Sequence, residues 1–378
     1  MIDVGEALER EGVRFRQDPG ARDRLNRRRD RKRRNERVGA AAVAIFLTAA
    51  LVGALFLVHP RKRVPADEPS GVLNGQIAFA RVAGNDPELT FVTYTVNPDG
   101  TNVVRLPGGA SYQPKPRWSP DGREIAINEP TTPTAECPES VICAAVIVNV
   151  DTGAYRGVPW RLPGRWDVGC FAWSPDGTRF ACGSIDDNGT DLSGIYTIDS
   201  SDGGDPTRIT PCGECVPGDF SPDGTRIVFS VSNDGRSSIG LFTVRLDGTG
   251  LRRITPAGML LDAADGGRWS PTGDQIVFQA RSAPGDLPSI WVVDADGSRP
   301  HEVPIEGCGG SSGPGAGVCQ MPAWSPDGTK IVFSRRSPDP SSVAGIYEVN
   351  ADGSAPVRIT TDDRDNYQAD WGTRAPAT

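Results

Sequence analysis

The chain has 378 residues, a net charge of −8, eight cysteines and two histidines. Its charge is divided: residues 1–63 carry 16 basic and 8 acidic side chains, +8, which leaves −16 on residues 64–378 and argues against a nucleic-acid partner for that larger part. With only His301 beyond His59, and with the Gly-x-Ser-x-Gly spacing at residues 309–313 lying in a Gly-rich loop rather than at a strand-to-helix elbow, the parts of a Ser-His-Asp hydrolase are missing.

Residues 1–37 hold 13 Lys or Arg, including Arg27-Arg28-Arg29 and Arg31-Lys32-Arg33-Arg34. Residues 38–58 (VGAAAVAIFLTAALVGALFLV) follow without a single charge, long enough for one transmembrane helix across a hydrocarbon core of about 30 Å. Only Arg61, Lys62 and Arg63 flank the far side. The positive-inside bias therefore predicts a single-pass cell-membrane protein with a cytoplasmic N-terminus and an extracytoplasmic remainder. A cleaved signal peptide is the competing reading; the apolar run is longer than such segments have, and Val64-Pro65-Ala66 is a poor cleavage site. The basic run fits topology and anionic lipid headgroups better than nucleic acid. Residues 59–73, rich in Pro and charge, read as a semi-extended linker.

From residue 74 a unit repeats. Trp118, Trp173, Phe220, Trp269, Trp324 and Trp371 recur at gaps of 55, 47, 49, 55 and 47 residues, a period that belongs to propellers and arrays. The first five precede a Ser-Pro-x-Gly turn such as Ser119-Pro120-Asp121-Gly122, in which Pro presets φ and Gly accepts left-handed geometry. An alternating strand such as Arg226-Ile227-Val228-Phe229-Ser230 comes next, then a second hairpin closed by Asp-Gly, then a strand ending Arg-Ile-Thr, as at 208–210, 253–255 and 358–360. Four antiparallel strands make one blade. The first unit starts late, at Gln76, and the chain carries an orphan strand at Gln368–Gly372. The reading is an all-β fold over 74–372, a six-bladed β-propeller of four-stranded antiparallel blades, in which one blade takes its innermost strand from the C-terminus and three from the N-terminus. Residues 373–378 form a tail.

All eight cysteines lie in the acidic part, as an oxidising compartment allows. They fall in close pairs: Cys137 with Cys143, Cys170 with Cys182, Cys212 with Cys215, and Cys308 with Cys319. Proximity is suggestive only, since eight cysteines allow 105 connectivities. The second pair has more behind it, for Cys170 and Cys182 face each other across a hairpin once a one-residue bulge is allowed. Cys212-Gly213-Glu214-Cys215 reads as a loop staple, since neither a thioredoxin-like unit nor a second metal half-site accompanies it.

Strand directions place the Ser-Pro-Asp-Gly and Asp-Gly turns on one face of the disc and long, unlike loops on the other: 128–144, 256–268, 307–321 and 362–367. Varied loops on a rigid scaffold are where binding concentrates, so Tyr112, Trp166, Met259, Leu260 and Tyr367 are the candidate partner contacts; packing beneath their own loops is the competing role. The linker enters on the uniform side, so the irregular face is expected to look away from the membrane. Asp-rich stretches 186–191 and 294–297 read as hairpin turns rather than Ca²⁺ loops, for neither completes an EF-hand. No metal, cofactor or catalytic residue is assigned.

The Trp-Ser-Pro-Asp-Gly hairpin followed by Ile-x-Phe and an Asp-Gly turn resembles the TolB-type propeller repeat over residues 74–372. Phe220 for Trp, Thr272 for the turn Asp, and Gly-Thr-Arg after Trp371 depart from it locally. The resemblance implies a non-catalytic protein-binding scaffold of the bacterial cell envelope, or the propeller half of an oligopeptidase, for which no hydrolase-length segment follows. The expected function is a membrane-anchored interaction or sensing scaffold that takes an envelope protein or peptide, with a possible cytoplasmic partner for residues 1–37. An envelope carbohydrate-binding protein, or a lyase or hydrolase using the channel, is the alternative.

Overall fold

The computed structural model of the chain describes residues 72–83, 90–107, 114–128, 137, 143–161, 166–186, 192–213, 215–232, 237–262, 266–310, 316–337, 339 and 341–374. Among them no helix is long and apolar enough to cross a membrane; the span expected at 38–58 lies outside the described residues.

The described residues are all strand and turn. In chain order come β1 (Asn74–Val82), β2 (Phe91–Val96) and β3 (Val104–Arg105), then β4 (Arg117–Trp118), β5 (Glu124–Ile127), β6 (Cys143–Asn149) and β7 (Tyr155–Pro159). Strands β8 (Trp166–Trp173), β9 (Arg179–Asp186), β10 (Gly194–Asp199) and β11 (Thr207–Pro211) follow. Next are β12 (Cys215–Phe220), β13 (Arg226–Ser232), β14 (Ser237–Arg245), β15 (Arg252–Arg253) and β16 (Leu260–Asp262). The series continues with β17 (Arg268–Trp269), β18 (Gln275–Arg281), β19 (Ser289–Asp294) and β20 (His301–Glu302). It ends with β21 (Val318–Trp324), β22 (Lys330–Arg336), β23 (Gly345–Asn350), β24 (Val357–Arg358) and β25 (Asn366–Thr373).

These pair into four-stranded antiparallel sheets: β4 to β7, β8 to β11, β21 to β24, and β25-β1-β2-β3. The remaining strands form a larger sheet in which β12 to β15 and β17 to β20 are joined through β16, which pairs with β14 on one side and β18 on the other. The segment 256–268, expected to be a loop, thus contains a strand. Its three residues, Leu260 to Asp262, suffice because two neighbours offer backbone groups at once. The innermost strands run in a circuit, β25 beside β4, then β8, β12, β17, β21 and back to β25. Strand β25 pairs with β1 from Asn74 against Thr373 to Arg81 against Asn366, so the two ends of the propeller share a sheet and leave fewer strand edges open.

Each Ser-Pro-x-Gly turn is held by its own side chains. Ser119 Oγ accepts the Glu124 N–H at 2.9 Å and donates to Asp121 Oδ1 at 2.6 Å, while Gly122 takes φ +69°. The same bonds recur at Ser174, Ser221 and Ser325. Where Thr272 replaces the turn Asp, Ser270 Oγ donates instead to Asp274 Oδ1 at 2.9 Å, so the carboxylate is kept two residues later. The repeated aromatics Trp118, Trp173, Phe220, Trp269, Trp324 and Trp371 are all buried, as burying their large apolar surface demands.

The Arg-Ile-Thr motif closes the outer edge by side chains as well as by backbone, where the Ile254 N–H bonds to the Leu241 carbonyl at 2.9 Å and the Ile359 N–H to the Ile346 carbonyl at 2.8 Å. Thr255 Oγ1 accepts the Leu241 N–H at 3.0 Å and Thr360 Oγ1 the Ile346 N–H at 2.9 Å. Arg253 Nη2 reaches the Ile239 carbonyl at 2.5 Å. Strands β15 and β24 therefore need only two paired residues each. Disulfides join Cys137 to Cys143, Cys170 to Cys182, Cys212 to Cys215 and Cys308 to Cys319. Cys170 lies directly opposite Cys182, with a bulge between Cys170 and Ala172.

Candidate functional site

The expected contact residues fall in different elements. Tyr112 lies outside the described residues, and Trp166 opens β8 rather than standing in a loop. Tyr367 sits in β25 with its ring edge-on to Phe91 at 6.1 Å, and its hydroxyl accepts from Arg336 Nη1 at 3.3 Å. Burial, with the nearby Asp365, pushes its phenol above the usual range.

Met259 and Leu260 do belong to an opening. They line a cleft of about 360 Å³ together with Pro256, Pro284, Pro300 and Trp291. The turn that delivers them is set by Gly258 at φ +76°, with the Met259 N–H on the Pro256 carbonyl at 3.3 Å. Pro256 cannot extend the strand before it. Met259 and Trp291 pack partly onto the core, whereas Leu260 is 37% exposed. The Trp291 indole N–H donates to Ser289 Oγ at 3.0 Å, and Arg281, at the cleft wall, donates to the Asp286 carbonyl at 2.7 Å. With its polar handle satisfied, Trp291 offers the cleft an apolar ring. The volume falls in the range of small binding clefts.

A second constellation lies at the propeller axis. The residues just before the repeated aromatics, taken around the circuit from β25, are Asp370, Arg117, Ala172, Asp219, Arg268 and Ala323. Bulges in β25, β8, β12 and β21 immediately precede this position, and a bulge re-aims the side chain that follows it. Arg268 of β17 bonds to Asp370 of β25, reaching past the small Ala323 of the intervening β21. Asp370 also accepts the Trp118 N–H at 2.8 Å. Arg268 Nε is 4.0 Å from Asp219. Arg117 Nε donates to the Phe171 carbonyl at 2.8 Å, and Lys115 Nζ lies 4.6 Å over the Phe171 ring. Asp219 keeps 26% of its side-chain surface open, yet the low-dielectric ring around it pushes its carboxyl up to about 6; Arg268 and Arg117 oppose that rise and Asp370 adds to it.

Each of these charges is a lone residue in its own strand, so sequence reading passed over them. Aligning the position before each aromatic would have exposed the order Asp, Arg, Ala, repeated twice. Several other acidic residues serve turns: Asp296 Oδ1 accepts the Ser298 N–H at 2.9 Å, and Asp294 Oδ2 accepts Arg299 Nε at 2.6 Å. Among the described residues no group of His, Cys, Asp or Glu is placed to hold a metal ion.

Antiparallel sheets whose innermost strands follow one another around an axis define a β-propeller. The sequence matches the TolB beta propeller domain over residues 68–300, more than half of the chain, and the protein belongs to that family. It is 29% identical to an uncharacterised protein of Agrobacterium fabrum over 270 residues, covering 59% of this chain and 84% of the relative. The crystal structure of TolB from Acinetobacter baumannii superposes with a TM-score of 0.58 at 18% identity, covering 79% of this chain; the chain spans 66% of that protein's length. A protein described as TolB from Agrobacterium tumefaciens gives a TM-score of 0.53 at 18% identity, over 82% of this chain and 100% of its own.

Proposed function

We propose that the chain is a six-bladed propeller, anchored by residues 38–58 with its N-terminus in the cytoplasm, which serves outside the membrane as a docking scaffold for an envelope protein. The observation that carries the docking role is the cleft between 256–260 and Trp291. It presents an exposed Leu260, three prolines and an indole face in one opening, the apolar lining that an extended peptide segment of a partner would fill. The basic stretch 1–37 and the uncharged stretch after it support the anchor and its orientation. Four disulfides support an oxidising location for the propeller.

The test is site-specific photo-crosslinking in intact cells, with the reactive group at Leu260 and a control at Ser354 in an Asp-Gly turn. The expected result is repeated capture of one envelope protein from Leu260 and not from Ser354. In the same assay Trp291→Ala should reduce capture roughly tenfold or more, as loss of a central aromatic contact does. Equal labelling from both positions, or capture indifferent to Trp291→Ala, would remove the cleft from the proposal.

A further inference from the structure

Trp291 holds a place that recurs from sheet to sheet. It lies opposite Phe278, as Tyr347 lies opposite Phe333 and Tyr94 opposite Phe79. In those two sheets the outer aromatic carries its own cation. Arg335 and Arg358 stand 5.4 and 6.0 Å from the Tyr347 ring centroid, and Arg81 stands 4.4 Å from that of Tyr94. Arg335 and Arg81 come two residues after the Phe, where β18 has Ala280. Arg358 is the cross-strand partner of Tyr347, as Arg208 is of Tyr196 and Arg253 of Phe242; the partner of Trp291 is Glu302. The passage those arginines use is shut as well, since Ser289 stands where β10, β14 and β23 have Gly194, Gly240 and Gly345. Trp291 thus has neither of the arginines that Tyr347 has, and the cleft of about 360 Å³ opens beside it.

The charged groups around the opening are not all paired alike. Arg281 is held through Nη1 on the Asp286 carbonyl at 2.7 Å, and Arg299 through Nε on Asp294 at 2.6 Å. Glu302, paired with no Lys or Arg among the described residues, accepts Ser282 Oγ at 2.9 Å, and Ser282 lines the cleft. We propose that the cleft takes an arginine side chain of the docked partner, its guanidinium over the indole face of Trp291 and beside the Glu302 carboxylate, in place of the arginine this sheet lacks. Trp is the strongest of the aromatic rings for a cation, and a planar guanidinium stacks on it. Because Arg281 repels the guest, the Glu302 carboxylate has to supply the counter-charge. This residue preference rests on the docking role proposed for the cleft and adds the chemistry of what enters it.

The probes are the capped peptide Ala-Ala-Arg-Ala-Ala and its citrulline counterpart, in which a neutral urea of the same shape replaces the guanidinium, each titrated into the full-length chain in neutral detergent by saturation-transfer NMR. The arginine peptide should bind roughly fivefold or more tightly, as a partly desolvated cation–π contact with a counter-charge implies. Glu302→Gln should reduce it to the citrulline peptide's level, and Trp291→Leu, with its thermal transition retained, should abolish the difference too. Equal affinity of the two peptides, no binding of either, or an arginine preference that survives either variant would each overturn the proposal. Crosslinking from Leu260 decides the docking role separately: a partner captured without an arginine preference removes only the guest residue, and an arginine preference with no captured partner removes only the envelope protein.

Discussion

Gly372 stands where five other units of the ring have Ser119, Ser174, Ser221, Ser270 and Ser325, and the reason is steric. A Cβ on Gly372 would lie 2.5 Å from Cδ2 of the Trp118 ring, and that residue is buried. Restoring the repeat with Gly372→Ser should therefore destabilise the fold, by about 1–3 kcal/mol as overpacking does, seen as a lower denaturant midpoint at unchanged slope. In the sequence this position is a local departure from the motif; the reason for it is a tryptophan more than 250 residues away. Asp219 gives the residue scale a second prediction. Its carboxyl titrates near 6 in the fold against an ordinary 3.8, so the folded state holds the extra proton between those values. The stability this contributes is complete below about pH 4 and is lost as pH rises through about 6. The turn carboxylates pull the other way, since hydrogen bonds from Ser174 to Asp176 and from Ser221 to Asp223 lower them. Comparing denaturant midpoints of the wild type and Asp219→Asn from pH 4 to 7 isolates the first contribution: the difference between them should grow with pH, in favour of the variant.

At the scale of elements, hairpins were the most legible part of the sequence because each is written locally. The Ser, Asp and Gly of a turn bond to one another and to the strand within five residues while Pro presets φ, so their chemistry is local. Strand β16 was not legible, since Leu260-Leu261-Asp262 becomes a strand only when β14 and β18 flank it. The Arg-Ile-Thr edge was half legible. What the sequence hid is that Gly194, Gly240 and Gly345 make space for the Arg208, Arg253 and Arg358 side chains, whose Nε atoms would lie 2.8–3.0 Å from an added Cβ. The disulfides differ in what they constrain. Cys170 and Cys182 are 12 residues apart and Cys212 and Cys215 only 3, so chain entropy assigns about 3 kcal/mol to the first and about half that to the second. Double alanine variants of each pair, compared by guanidinium unfolding, should show that order. A larger loss from the Cys212/Cys215 pair would mean that the staple acts on the native state instead.

At the scale of the molecule, the axial cluster shows why a site can be invisible in one dimension. Arg268 and Asp370 are 102 positions apart, and only the circuit of inner strands brings them together. The same circuit depends on β25. Asn74, where the propeller begins, bonds through its side chain to Asp327 at 2.8 Å, and Thr373 Oγ1 bonds to the Pro120 carbonyl at 3.1 Å, so entry and exit are both fastened to Ser-Pro-Asp-Gly turns. A chain stopped after residue 365 should lose its cooperative thermal transition and bind a hydrophobic dye, whereas one stopped after residue 374 should keep the transition and stay dark; the pair of scans separates the strand from the tail. The shared sheet also sets a timetable for biogenesis. While the polypeptide is being made, β1 must wait for a strand synthesised almost three hundred residues later, so every incomplete intermediate exposes that seam until the last strand emerges.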